Sequence, residues 1–298
     1  MNAAPFACVD IGSNTTRLLV ASWDGSQLRE LMTQRVYTRL GKVIRKTGAM
    51  PAESVATETE VVATQVRHAR ELGARDIRIV ATAAIRQAPN RDELVRSIED
   101  STGLSPHVLT DAEEARLAFL GASRTLGSPP NGSLGVLDVG GGSTELAAGN
   151  ADEGVSWFAS FSIGSGFLAD SYLRSDPPSP HELHAAGEHA KGCFEGLVAP
   201  EVERAVAVGG SATALRRVAG GELSHEALER AIRIVSTAPS HEVAERFELD
   251  AERVRLLPAG ILIIDAVSDA IGWRLKIGGG GIREGCILEM AAAATATD

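Results

Sequence analysis

The stretch "GVLDVGGGSTELAAG", residues 135–149, decides how the fold is read, because the chain carries a second version of it near its start, "ACVDIGSNTTRLLVA" at 7–21. Laid one on the other, Asp10 falls on Asp138, Gly12 on Gly140, Thr15 on Ser143, Thr16 on Thr144 and Leu18 on Leu146. One position changes sign: Arg17 stands where the second copy has Glu145. In each copy two short apolar runs flank a polar, Gly-containing turn, the pattern of a β-hairpin. Two α/β halves that each open with such a hairpin describe a duplicated fold.

The hairpin tips, D-x-G-x-x-[ST], carry a chemical expectation of their own. Gly admits tight turns and close approach, so the backbone N–H groups at Gly12, Ser13, Asn14, Thr15 and Thr16 can form an anion-binding nest. The same holds for Gly140, Gly141, Gly142, Ser143 and Thr144, and the hydroxyls would add donors. Asp10 and Asp138 end the first strand of each hairpin, where a carboxylate can hold a divalent cation such as Mg²⁺ directly or through water. Arg17, just beyond the first nest, offers a planar fork suited to phosphate oxygens. The plain alternative is that both tips are only turns. The chain has no G-x-x-x-x-G-K-[ST], and "GGGGIREG" at 278–285 does not satisfy G-x-G-x-x-G, so neither a P-loop nor a dinucleotide-binding turn is supported.

Further along, residues 51–73 place Val55, Val62, Val66 and Ala69 at helical spacing and end on Gly73. "DIRIVAT" at 76–82 reads as a buried strand. Asn90 and Thr110 read as helix caps, Thr110 with Glu113 three residues on as in a capping box. "GSPPNGS" at 127–133 reads as a linker. After it come strands at 134–139 and 204–210, helices at 180–199, 211–218, 224–236 and 258–268, the last entered through Pro258, a strand at 273–277, and a final helix from Ile282. The expected division is therefore 1–126 and 127–298. "TRLGKVIRKTG" at 38–48 is either a basic lip or a solvated loop. His181 and His184 read as part of a solvated helix, and Cys286 as core.

Composition narrows the function. A formal charge of −10 with 4% aromatics argues against nucleic-acid binding and against a membrane surface. It leaves room for a polyanionic substrate, because charge is screened beyond about 8 Å and local Arg residues can dominate. Three cysteines far apart in sequence favour a reducing cytoplasm over a disulfide framework. No secretory leader pattern is visible, since Asp10 interrupts the first apolar run. "LLPAGILII" at 256–264 is too short to span a bilayer.

"VDIGSNTTRLLV", "ATAAIRQAPNRDELV", "DAEEARLAFLGA", "LDVGGGSTEL", "VGGSATAL" and "GGIREG" follow one another in an order that resembles the exopolyphosphatase / guanosine pentaphosphate phosphatase family. The resemblance covers nearly the whole chain. It implies an actin-like fold of two ribonuclease-H-like domains flanking a cleft, and the cleft is expected to close about the linker near 127–133 and the final helix. It also implies hydrolysis of the terminal phosphate of linear polyphosphate, with Mg²⁺ or Mn²⁺ as cofactor. Carried over residue by residue, it assigns activation of water to Glu114, metal and phosphate organisation to Asp138 and Glu145, and a substrate clamp to Arg86. This sequence ends soon after "IREG", without the HD-type helical domain of longer relatives, so short chains are the expected substrate. "KIGGGG" also stands in place of a Ser-Asp-Gly-type segment, which removes any acidic role there. A homodimer is compatible with the resemblance. A pppGpp hydrolase, an actin-like ATPase or kinase, and a non-catalytic sensor of polyphosphate or an alarmone are the competing readings.

Overall fold

The computed structural model of the 298-residue chain describes residues 4–126 and 132–297. Most of the expected linker, 127–131, lies outside the described residues. The chain divides into two compact units, residues 1–125 with 280–298 and residues 126–279.

The first unit contains β1 (Phe6–Ile11), β2 (Thr16–Trp23), β3 (Leu28–Val36), α1 (Leu40–Thr47), α2 (Ala52–Glu71), β4 (Asp76–Ala81), α3 (Ala83–Gln87), α4 (Arg91–Thr102), β5 (His107–Val108) and α5 (Asp111–Thr125). Its sheet runs β3-β2-β1-β4-β5, antiparallel through the hairpins and parallel from β1 onward. Successive side chains of a strand point to opposite faces, so β1 serves two cores. Ala7, Val9 and Ile11 join Val62 and Val66 of α2 and Leu94 and Ile98 of α4. Phe6 and Cys8 join Leu117 of α5 and Cys286, Ile287 and Met290 of the last helix of the chain. Asp10 shares the face of Cys8, and that parity decides where its carboxylate points.

The second unit contains β6 (Ser133–Val139), β7 (Thr144–Asn150), β8 (Gly154–Phe161), α6 (Ser165–Tyr172), α7 (Pro180–Cys193), β9 (Arg204–Val208), α8 (Gly209–Ala219), α9 (His225–Val235), α10 (Ser240–Phe247), α11 (Ala251–Ile271) and β10 (Leu275–Ile277). Its sheet runs β8-β7-β6-β9-β10, matching the first unit strand for strand. The duplication expected from the two hairpins thus extends through both sheets.

Four expectations are corrected. The final helix, α12 (Ile282–Thr297), was assigned to the second half, yet it packs on β1, β2 and α5 and belongs to the first unit. Its apolar residues cover the second face of that sheet. The packing is close: a Cβ on Gly285 would lie 2.1 Å from the Leu117 carbonyl oxygen, and one on Gly121 2.1 Å from that of Gly281. The helix expected from Pro258 starts seven residues earlier, because Asp250 caps it through the N–H groups of Glu252 (2.9 Å) and Arg253 (3.4 Å). Asn90 stands at the cap of α4, but its side chain bonds both backbone groups of Met50 and the Glu93 carboxylate rather than an N–H of its own helix. Residues 40–47 of the basic segment form a helix, not a loop. The Thr110–Glu113 capping box forms in both directions, at 2.8 and 3.3 Å. His181 and His184 are exposed on α7, and Cys286 is fully buried. Among the described residues no helix is long and apolar enough to cross a membrane.

Candidate active site

The two hairpins close in the same register. Asp10 pairs with Arg17 and Ile11 with Thr16; Asp138 pairs with Glu145 and Val139 with Thr144. Each tip is closed by one bond of 3.0 Å, Gly12 N–H to the Thr15 carbonyl and Gly140 N–H to that of Ser143. Each tip is also tied down from outside through its carbonyls. Arg39 N–H reaches the Asn14 carbonyl at 3.1 Å and Gly41 N–H that of Ser13 at 2.8 Å. In the second unit Ser165 N–H reaches Gly140 and Gly166 N–H reaches Gly141, both at 2.9 Å. With these carbonyls occupied, the N–H groups are what a tip has left for an anion.

Two hydroxyls expected to bind phosphate are used otherwise. Thr16 is fully buried and donates to Glu58 of α2, with the Thr38 hydroxyl 3.4 Å away. Thr144 is fully buried and donates to the Ile163 carbonyl at 2.6 Å. Position Thr16/Thr144 is therefore an internal strut in both copies, because its side chain alternates into the core. Hydroxyl donors remain at Ser13, Thr15 and Ser143.

In the first unit, charge gathers on the face of β1 that carries Asp10. Arg86, at the end of α3, donates to Glu114 and to Asp111 of α5 and, at 2.6 Å, to the Leu109 carbonyl. Glu114 is 2% exposed. Burial pushes its carboxyl up to about 8, against the pull of Arg86, with Asp10 and Asp111 adding repulsion. Asp10 is likewise raised by burial, opposed by Arg283 and Arg17 and assisted by Glu284. The structure therefore brings Asp10, Arg17, Arg86 and Glu114 together and adds Arg283 and Glu284 from α12. Sequence reasoning assigned those last two no role, although the "IREG" motif that contains them was visible. Glu58 was also missed: in sequence it is a polar residue in an amphipathic helix, and its role depends on a threonine 42 residues away.

The fit of a divalent cation can be judged from the donors themselves. Asp10 Oδ1 is sealed from solvent and has no hydrogen-bond partner, an orphan that a cation would satisfy. In the second unit Asp138 and Glu145 are 9% and 4% exposed and face one another across the β6–β7 ladder. Like charges so placed repel, and their all-oxygen donor set suits Mg²⁺ or Mn²⁺. Ser160 donates to Glu145 at 3.2 Å. Asp138 leans on Gly209, where a Cβ would lie 2.3 Å from Oδ1.

Two matching sheets, each presenting an acidic hairpin with a Gly tip, define a protein of the duplicated actin-like fold. Within that class the chain belongs to the Ppx/GppA phosphatase family, whose model matches residues 19–294. It is 37% identical over 179 residues to an uncharacterized protein of Streptomyces coelicolor, covering 59% of this chain and 53% of that one. It is 25% identical over 295 residues to guanosine-5'-triphosphate,3'-diphosphate pyrophosphatase of Photobacterium profundum, covering 96% and 59%. Against exopolyphosphatase 1 of Mycobacterium leprae it is 26% identical over 298 residues, covering 94% and 87%. The chain thus spans 53% and 59% of the length of the first two relatives. The crystal structure of the Aquifex aeolicus family member matches with a TM-score of 0.81 at 26% identity, covering 98% of both chains.

Proposed function

We propose that this chain is an exopolyphosphatase that hydrolyses the terminal phosphoanhydride bond of linear inorganic polyphosphate. The observation that carries the reading is Glu114, a buried carboxyl of raised proton affinity held by Arg86 beside Asp10. Family membership and the name of the Mycobacterium leprae relative support the substrate class.

Phosphoryl transfer to water depends on positioning and charge neutralisation more than on covalent chemistry. In the proposed reaction Glu114 accepts a proton from water as the water oxygen bonds to the terminal phosphorus. The bridging P–O bond breaks, and its electrons leave with the shortened chain. Arg86, fixed by Asp111, Leu109 and Glu114, orients the base; a guanidinium has five donors, which leaves an edge for a phosphate oxygen. N–H groups at 12–15 and the Arg17 fork bind the remaining oxygens. A divalent cation held by Asp10 would neutralise phosphate charge, and Asp138 with Glu145 would hold a cation in the second unit.

A pppGpp 5'-phosphohydrolase is the second reading, favoured by the name of the Photobacterium profundum relative. Phosphate release with Mg²⁺ from tripolyphosphate, long polyphosphate, pppGpp and ATP, run in parallel, separates them. The proposal expects the highest kcat/KM on polyphosphate. Preference for pppGpp selects the second reading. Turnover of ATP alone, or polyphosphate binding without turnover, overturns both.

A further inference from the structure

We infer that α1 is a binding rail for the internal phosphates of a linear polyphosphate, with Arg45 nearest the first hairpin tip and Arg39, Lys42 and Lys46 continuing from it. The inference rests on the polyphosphatase reading and adds a site for the part of the chain that is not being cleaved.

Charge is the first observation. Residues 38–50 hold four cations and no acid, in a chain whose net charge is −10. All four cations are exposed. Residues three and four apart on a helix are surface neighbours, so Lys42, Arg45 and Lys46 share a stripe and Arg39 stands at its foot. Screening over about 8 Å at physiological salt lets such a cluster act locally on an acidic protein.

Placement is the second. The start of α1 is bonded to the tip itself, through Arg39 N–H to the Asn14 carbonyl and Gly41 N–H to that of Ser13. Gly41 permits this approach. A Cβ there would lie 3.0 Å from Ser13 Cβ and 3.1 Å from Arg45 Nη1, so the guanidinium and the tip are neighbours across the missing side chain. Arg39 keeps a full side chain at φ 52°, ψ 32°, a left-handed conformation that glycine adopts more readily.

The duplication supplies the control. In the second unit α6 follows β8 as α1 follows β3, and its first N–H groups tie down the sister tip in the same way. Yet α6, "SGFLADSY", has no Lys or Arg and includes Asp170. The second tip is therefore tethered by backbone N–H groups and the Ser165 hydroxyl (3.1 Å to the Gly140 carbonyl), without a cation on its helix. Only one copy of the device is basic, which suits a polyanion that leaves the site in one direction.

The test uses the full chain carrying Lys42→Ala/Arg45→Ala/Lys46→Ala and, separately, Arg39→Gly. Phosphate release is measured on tripolyphosphate and on a long chain over a range of KCl. The triple variant is expected to lose on the order of tenfold more kcat/KM on the long chain than on tripolyphosphate, carried by KM. Its salt slope on the long chain should flatten by about 0.7 per cation removed, as for single-stranded nucleic acids. Arg39→Gly should raise Tm while raising KM for the long chain, a split that a merely structural role would not give. Equal losses on both substrates, or an unchanged salt slope, overturn the rail. If the wild-type chain releases no phosphate, the polyphosphatase reading fails. Fluorescence anisotropy with labelled long polyphosphate then decides the rail: weaker binding by the triple variant upholds it, and equal binding overturns it.

Discussion

Glu113 and Glu114 are adjacent and chemically alike, yet they are driven in opposite directions. Glu113 accepts from the Thr110 N–H and from His107 (2.8 Å), and these bonds hold its carboxyl down at about 2. Glu114, about 100° further round the helix, faces the interior, where burial pushes it up to about 8. As the proposed base, Glu114 is charged only toward the alkaline end, so kcat/KM should climb with pH through neutrality, bend near pH 8 and level off above it, as a pH–rate profile would show. Stability carries the opposite sign. Between the ordinary value of 4.5 and about 8 the native state holds more protons than the unfolded one, so Glu114 costs stability as pH rises across that window. Glu114→Gln removes the cost. Urea denaturation should show the variant gaining on the wild type from pH 5 to pH 8 and holding a constant lead above. A lead that does not grow with pH would contradict the assigned burial. A second expectation at this scale concerns Asp138 and Glu145, two buried carboxylates opposed in one ladder. Mg²⁺ should raise the Tm of the wild type, and Glu145→Gln should raise the metal-free Tm while abolishing most of the Mg²⁺ effect.

At the scale of elements, local patterns were legible and long-range partnerships were not. The hairpins, the helix over 52–71, the capping box at Thr110 and the strand at 204–208 can all be read from neighbouring residues. Strand β3 could not, because Arg29, Glu30, Thr33 and Arg35 leave it little apolar alternation. The start of α11 turned on a choice between two local signals, Pro258 and Asp250, and a proline inside an apolar helix was tolerated where the cap was strong. The allegiance of α12 was hidden because an apolar helix face states that it needs a cover, not which sheet provides it. The inward turn of Thr16 depends on Glu58, a contact that no short window contains. The α5–α12 contact yields a direct test. Gly285→Ala would drive a methyl toward the Leu117 carbonyl, which must then shift. The variant should lose about 1–3 kcal/mol by chemical denaturation. It should also lose phosphate release, because Leu117 lies one turn from Glu114. Unchanged stability would mean that the two helices are not packed so closely.

At the scale of the whole molecule the duplication is the organising fact, and the differences between its halves carry the chemistry. Both halves keep the hairpin register, the carbonyl tethers and the inward threonine. They diverge at Arg17 against Glu145, in the basic α1 against the uncharged start of α6, and in the presence of Glu114 on one side only. In the proposed reaction the first half holds phosphate and activates water, while the second offers a pair of opposed carboxylates, Asp138 and Glu145, that a cation would satisfy. Whether Glu114 is the base is decided by single-turnover phosphate release from polyphosphate by the wild type and Glu114→Gln, with binding measured alongside. Glu114→Gln should bind polyphosphate as the wild type does and release phosphate more slowly by about 10²–10⁴. A variant that releases phosphate at close to the wild-type rate would contradict that role for Glu114.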